Sequence, residues 1–140
     1  MAPYSFPVVT GLTAAALGIL NIILVVYVGT ARAKYKVHLG DGGHEALNRR
    51  VRMHGNLAEN APIFLILLGL VELTGRYHMT VAIIAPLFVL FRIIHPIGLS
   101  AYMSKRPNPF RGIGALGTVI CQGVLAVELA IACLPHIAQW

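Results

Sequence analysis

The sequence predicts an all-α integral membrane protein, a four-transmembrane-helix up-down bundle forming one domain over residues 1–140, and three observations predict it. Of the 140 residues 57% are hydrophobic and only 11% charged, with a mean hydropathy of +0.76, which is more apolar surface than one small soluble core can hide. Four apolar windows are each long enough to cross a hydrocarbon core of about 30 Å, which takes roughly 20 residues of helix. The cations gather in two of the three connections between those windows, as they do in the loops that stay on the cytoplasmic side.

The first helix is expected over about 6–30, a run with no charged residue from Phe6 to Thr30. No basic stretch precedes it and no small-residue cleavage site follows Leu24, so it reads as a retained span rather than a signal peptide. Gly40, Gly42 and Gly43 break the chain around Asp41 before a second helix over about 45–74, whose first two turns, Glu45 to Arg52, are polar and project beyond the bilayer. Gly75 sits in a short connection to a third helix over about 79–103, and Pro107 and Pro109 punctuate the loop before a fourth over about 112–135. Arg32, Lys34, Lys36, Arg49, Arg50 and Arg52 flank the first connection, Lys105, Arg106 and Arg111 the third, and Arg76 alone the second. The first and third loops are therefore expected in the cytoplasm and both termini on the periplasmic side of a bacterial inner membrane.

Several function classes fall away. The formal charge of +6 comes mostly from two loops and their flanks and forms no basic stripe with interleaved aromatics, so no nucleic acid partner is expected. His54 and His95 have no Cys, Asp or Glu at ligand spacing, so no metal is expected. A small multidrug exporter would want a carboxylate in its first span, and there is none. Cys121 and Cys133 are twelve positions apart, roughly 120° out of register on a helix, and read as ordinary buried thiols. Glu72, Gln122 and Glu128 read as interfacial or helix-pairing groups.

The second helix carries the chemistry. Glu45, Arg49, Arg52, Asn56 and Glu59 recur at spacings of four, three, four and three, which confines them to an arc of roughly 80° and draws one polar stripe into the membrane. A charge at mid-bilayer costs about 2.5–3.5 kcal/mol, so Arg52 and Glu59 should face protein or water and find partners. On the third helix Arg92, His95, Leu99 and Tyr102 share a face, and Arg92 is the expected partner of Glu59 in a structural polar pair. Such groups can simply hold a bundle together, but five on one stripe with an Arg and a His opposite favour a site.

The segment Arg52-Met-His54-Gly-Asn56-Leu-Ala-Glu59-Asn60-Ala-Pro62, followed later by Arg92-Ile-Ile-His95, resembles the MAPEG family, membrane-associated proteins in eicosanoid and glutathione metabolism. The resemblance covers nearly the whole chain and is nearest to the short bacterial inner-membrane members, in the manner of microsomal glutathione transferase. It implies a homotrimer, with membrane lipids around it, binding glutathione as co-substrate near the cytoplasmic face in clefts between subunits. A lipophilic small-molecule substrate would enter from the bilayer. It further implies that Arg52, Asn56, Glu59 and Asn60 hold the tripeptide, that His95 lines the cleft, and that Arg32 or His54 contributes from the adjacent subunit. Arg111 best matches the family's thiol-activating arginine, with Arg106 the alternative. The sequence departs from eukaryotic members at Leu99, often a tyrosine, and from the prostaglandin E synthase branch at Gly55, an arginine there. Both departures weigh against eicosanoid activities more than against glutathione binding.

The expected function is therefore that of a membrane-bound glutathione transferase of detoxification type, with peroxide reduction as a companion activity. Its rival is a non-catalytic lipid-binding or lipid-presenting protein of the same fold. The catalytic demand is modest: a thiol of pKa about 8.5 becomes largely ionised at neutral pH if lowered by one to two units, roughly 1.4–2.7 kcal/mol.

Overall fold

A computed structural model describes residues 6–100 and 108–137. The described residues form four helices and no strand: α1 (Val8–Tyr35), α2 (Glu45–Leu73), α3 (His78–Ser100) and α4 (Pro109–Ile137). All four are long and apolar enough to cross a membrane.

Local chemistry sets the ends. α1 runs past Thr30 to Tyr35, because Arg32 and Lys34 in its last turn suit the negative end of the helix dipole. It stops where Lys36 adopts a left-handed conformation (φ 54°) and the N–H groups of Lys36 and Val37 close back on the carbonyls of Ala33 and Arg32. Gly42 has φ 57°, and a Cβ there would lie 2.6 Å from Val37 Cγ2, so the turn requires glycine. α4 starts at Pro109, earlier than the sequence pattern suggests, because proline is suited to a first helical position whose N–H would bond to nothing. That places Arg111 in the opening turn of α4.

Two contacts show that α1 and α2 run antiparallel. At one end the Glu72 carboxylate of α2 accepts hydrogen bonds from Val9 N (2.9 Å), Thr10 N (2.8 Å) and Thr10 Oγ1 (2.6 Å), capping the first turn of α1 from another helix. At the other, Arg50 of α2 donates to Tyr27 O (2.9 Å) and its guanidinium lies 3.8 Å over the Tyr27 ring. Glu72 thus pairs two helices by supplying the acceptors that α1, with Pro7 at its N-cap, lacks.

Between these ends the core is built from Leu17, Leu57, Phe64, Leu68, Phe88 and Leu125, all buried, with the Phe64 and Phe88 rings stacked at 3.5 Å. Outward, Ile22, Ile23, Ile63, Ile66, Leu116 and Val119 are exposed, an apolar girdle that a bilayer covers. Of the two thiols only Cys121 is buried. Cys133 lies on the outer surface, because twelve residues of helix turn it roughly 120° away from the inward-facing Cys121.

Replacing Glu72 with alanine should lower stability by about 1–2 kcal/mol, the usual value of a lost helix cap, read as an earlier unfolding transition in detergent; an unchanged transition would refute the cap. The connection after α1 should respond to pH in one direction only. The Asn48 amide, then the Gly43 N–H, hold the Asp41 carboxyl below its ordinary value. A lowered folded pKa means that the contribution is complete above the ordinary carboxylate value and is lost as pH falls through the lower, folded one. The protection of amides around Asp41, as the ratio of intrinsic to observed exchange, should therefore be constant through neutral pH and fall only in acid; protection that falls on raising the pH through neutrality would refute it.

Candidate functional site

Polar side chains from three helices converge at the end of the bundle where α1 joins α2. A cavity of about 510 Å³ is lined by Glu45, Asn48, Arg49, Arg52 and Asn56 of α2, His95 and Leu99 of α3, and Arg111 and Ala115 of α4. Four of the residues that the resemblance assigns to the ligand site, Arg52, Asn56, His95 and Arg111, are among them, as are Glu45 and Arg49 of the stripe and Leu99 of the facing helix.

Glycine brings the third and fourth helices close enough to build this wall. A Cβ on Gly114 would lie 2.8 Å from His95 Cβ, and one on Gly98 would lie 2.9 Å from Arg111 Cα. Small residues at a helix crossing let the backbones touch, and here the two residues they touch are cavity residues. The crossing thus fixes His95 and Arg111 on one wall.

The charge balance is favourable to an anion. Arg49 is paired with Glu45 at 2.8 Å. Among the described residues Arg52 and Arg111 have no side-chain hydrogen bond or ion pair, and both are exposed. Two uncommitted guanidinium groups facing one space suit a ligand with two anionic groups.

The expected pairing of Arg92 with Glu59 is not what the structure shows. Arg92 is only 2% exposed, and its fork reaches Asn56 Oδ1 (2.5 Å), Asn56 O (3.4 Å), Gly114 O (2.9 Å) and the Thr118 hydroxyl. Glu59 is exposed and takes no part. The helix wheel explains it: the buried positions of α2, among them Met53, Leu57 and Phe64, centre roughly 150° from Glu59, whereas Asn56 lies about 60° nearer to them. Of the stripe, Glu45, Arg49, Arg52 and Asn56 line the cavity, whereas Glu59, exposed and one turn further along α2, does not.

The remaining site residues lie outside this cavity. Asn60 is half-buried, donating from Nδ2 to Asn56 O (2.8 Å) and accepting Gln122 Nε2 on its carbonyl (3.0 Å), a link between α2 and α4. His54 is half-buried on α2. Arg32 donates to the carbonyls of His38 (3.2 Å) and Gly40 (3.0 Å) and lines a separate depression with Lys36 and His38. Arg106 and Tyr102 lie outside the described residues. Gly114 and Thr118 were invisible as functional positions in the sequence, although their spacing of four on the α4 face opposite Arg92 was the available signal.

Substituting Gly114 with alanine should force the α3–α4 crossing apart, at a cost of about 1–3 kcal/mol typical of overpacking, whereas Gly123→Ala, where a Cβ meets nothing within 4 Å, should be neutral. Equal unfolding transitions for the two variants in detergent would overturn the close-crossing account.

Comparison with known proteins adds a family and two relatives. A sequence model described as the MAPEG family matches residues 10–131. Proteins called inner membrane protein YecN, from two strains of Escherichia coli, are each 34% identical over 67 residues, 48% of this chain and 51% of theirs. The chain thus spans about half the length of the curated relatives it matches.

Proposed function

This chain belongs to the MAPEG family, and from that premise and the geometry of the cleft we propose that it is a membrane-bound glutathione transferase. The observation that carries the reading is the single cavity that gathers Arg52, Asn56, His95 and Arg111 from three helices. It is a multi-pass inner membrane protein. The cleft end faces the cytoplasm, because the first and third connections carry most of the Lys and Arg, so both termini are periplasmic.

Glutathione fits the donor set by chemistry. It carries two carboxylates, and Arg52 with Asn56 supplies a guanidinium and an amide for one end. Arg111, free and in the first turn of α4, stabilises the thiolate, adding its charge to that of the helix N-terminus. The required depression is worth roughly 1.4–2.7 kcal/mol, within reach of one cation in a partly desolvated site. With the thiol proton lost to water, the thiolate attacks an electrophilic carbon of a lipophile reaching the cleft past Leu99 and Ala115, forming the carbon–sulfur bond as the bond to the leaving group breaks and that group departs with the electron pair. Positioning and electrostatics do the catalytic work.

Glu59 supports the homotrimer in the same reading. An exposed carboxylate on a membrane-spanning helix is costly against lipid, and a second copy of the chain covering this edge would enclose it. His54, Asn60 and Arg32 would then serve the cleft across that interface or support it from behind.

Calorimetric titration of the detergent-purified chain with glutathione tests the proposal. Saturable binding is expected, weakened roughly ten- to a hundredfold in Arg52→Ala, the equivalent of one lost charge-assisted hydrogen bond. Arg111→Ala should lower turnover with a model electrophile and leave binding nearly intact. Glu59→Ala should weaken binding through the subunit contact. No binding by folded wild-type protein would overturn the reading and leave lipid binding without catalysis as the better account.

A further inference from the structure

Arg92 is a full charge buried among three helices, and none of its partners is a carboxylate. Asn56 supplies two acceptors from α2, and Gly114 and Thr118 supply the others from α4. Its Nε has no hydrogen-bond partner among the described residues. A guanidinium has donors only, so the Asn56 atom that meets it 2.5 Å away must be the amide oxygen. The orientation of that amide is therefore decided by chemistry. Its Nδ2 makes no hydrogen bond among the described residues, and Asn56 lines the cavity.

We propose that Arg92 is a positioning residue that locks the Asn56 side chain as a hydrogen-bond donor toward the cleft, so that the ligand group opposite Asn56 is an anionic acceptor. This deepens the glutathione reading and rests on it, naming a carboxylate as the group that Asn56 holds. The buried charge behind the amide oxygen polarises the amide and strengthens the donor on its far side. A carboxylate at Asn56 thus feels Arg92 through one intervening amide without touching it. The same guanidinium holds the carbonyl of Gly114, one turn from Arg111, so the two walls of the cleft are set by one side chain. Thr118 completes the lock from α4, its hydroxyl donating in turn to Gly114 O at 2.8 Å.

A double-mutant cycle separates positioning from general support. Glutathione Kd is measured calorimetrically for the full chain in detergent as wild type, Asn56→Ala, Arg92→Lys and the double variant, with unfolding transitions recorded for each. Lysine keeps the charge and loses the fork. Arg92→Lys should weaken binding about tenfold, an interaction of about 1.4 kcal/mol, when Asn56 is present, and should have no further effect on Kd in Asn56→Ala. Effects that multiply would overturn the proposal and make Arg92 a support for the bundle alone. If Arg92→Lys fails to fold, Thr118→Val takes its place, removing an acceptor at nearly constant shape. Thr118→Ser should restore the Kd that Thr118→Val loses, and no difference between the two would overturn the lock. Should wild type bind no glutathione, the transferase reading fails separately. The cycle is then read in unfolding: non-additive effects of Arg92→Lys and Asn56→Ala would uphold the lock, and additive ones would overturn it.

Discussion

The arrangement at the cleft depends on one guanidinium placed where lipid would otherwise make it costly. A charge at the centre of a spanning helix costs about 2.5–3.5 kcal/mol on insertion scales, while hydrogen bonds to a charged group return about 1.5–3 kcal/mol each. Arg92 makes such bonds to Asn56, Gly114 and Thr118, so the balance favours burial only while α2, α3 and α4 stay together. The bonds are short-range and directional, which ties the spacing of three helices to one side chain. A hydrophobic residue would fill the volume and leave the three helices free to slide against one another, because apolar contacts do not specify register.

Glycine supplies what the guanidinium needs. Gly114 exposes its carbonyl to Arg92 at 2.9 Å and presents no side chain to His95, whose Cβ sits where a second Cβ would collide. One position thus serves the polar network and the helix crossing at once. The same economy appears at the opposite end of the bundle, where Glu72 closes the unfilled first turn of α1 and in doing so docks α1 on α2. Both devices answer a constraint peculiar to a membrane: backbone and side-chain polar groups must find partners within the protein, and the cheapest partners are those that also join elements.

The fold was legible in the sequence because its cause is coarse. Long apolar windows admit few alternatives in lipid, and the breakers at Gly40–Gly43 and Gly75 stand between them. The stripe on α2 was legible for the same reason, since a period of 3.6 fixes which side chains share a face. What the period could not give was the azimuth of that face relative to the neighbours. Glu59 and Asn56 differ by only about 60° around α2, and that difference decides which of them meets Arg92. Opposite charge suggested Glu59, whereas packing chose the neutral amide. Arg111 was placed by a resemblance, yet its location in the opening turn of α4 follows from Pro109, a local preference that a window of apolar residues does not register.

The division of the stripe has a consequence for how a cleft of this kind handles charge. Glu45 neutralises Arg49 at the rim, where water screens the pair and its energy is small. Arg52 and Arg111, both exposed to the cavity, have no such partner among the described residues, and the buried Arg92 has only neutral acceptors among them. Uncompensated positive charge therefore lines the cavity, and its one buried member, Arg92, sits where the dielectric is lowest and each interaction is strongest. The apolar residues Leu99 and Ala115 share the α3–α4 wall with His95 and Arg111, so apolar surface adjoins the free guanidinium. An anionic ligand held at Arg52 and Asn56 on α2 and an apolar partner resting on Leu99 and Ala115 would therefore meet beside Arg111, where charge and apolar surface adjoin.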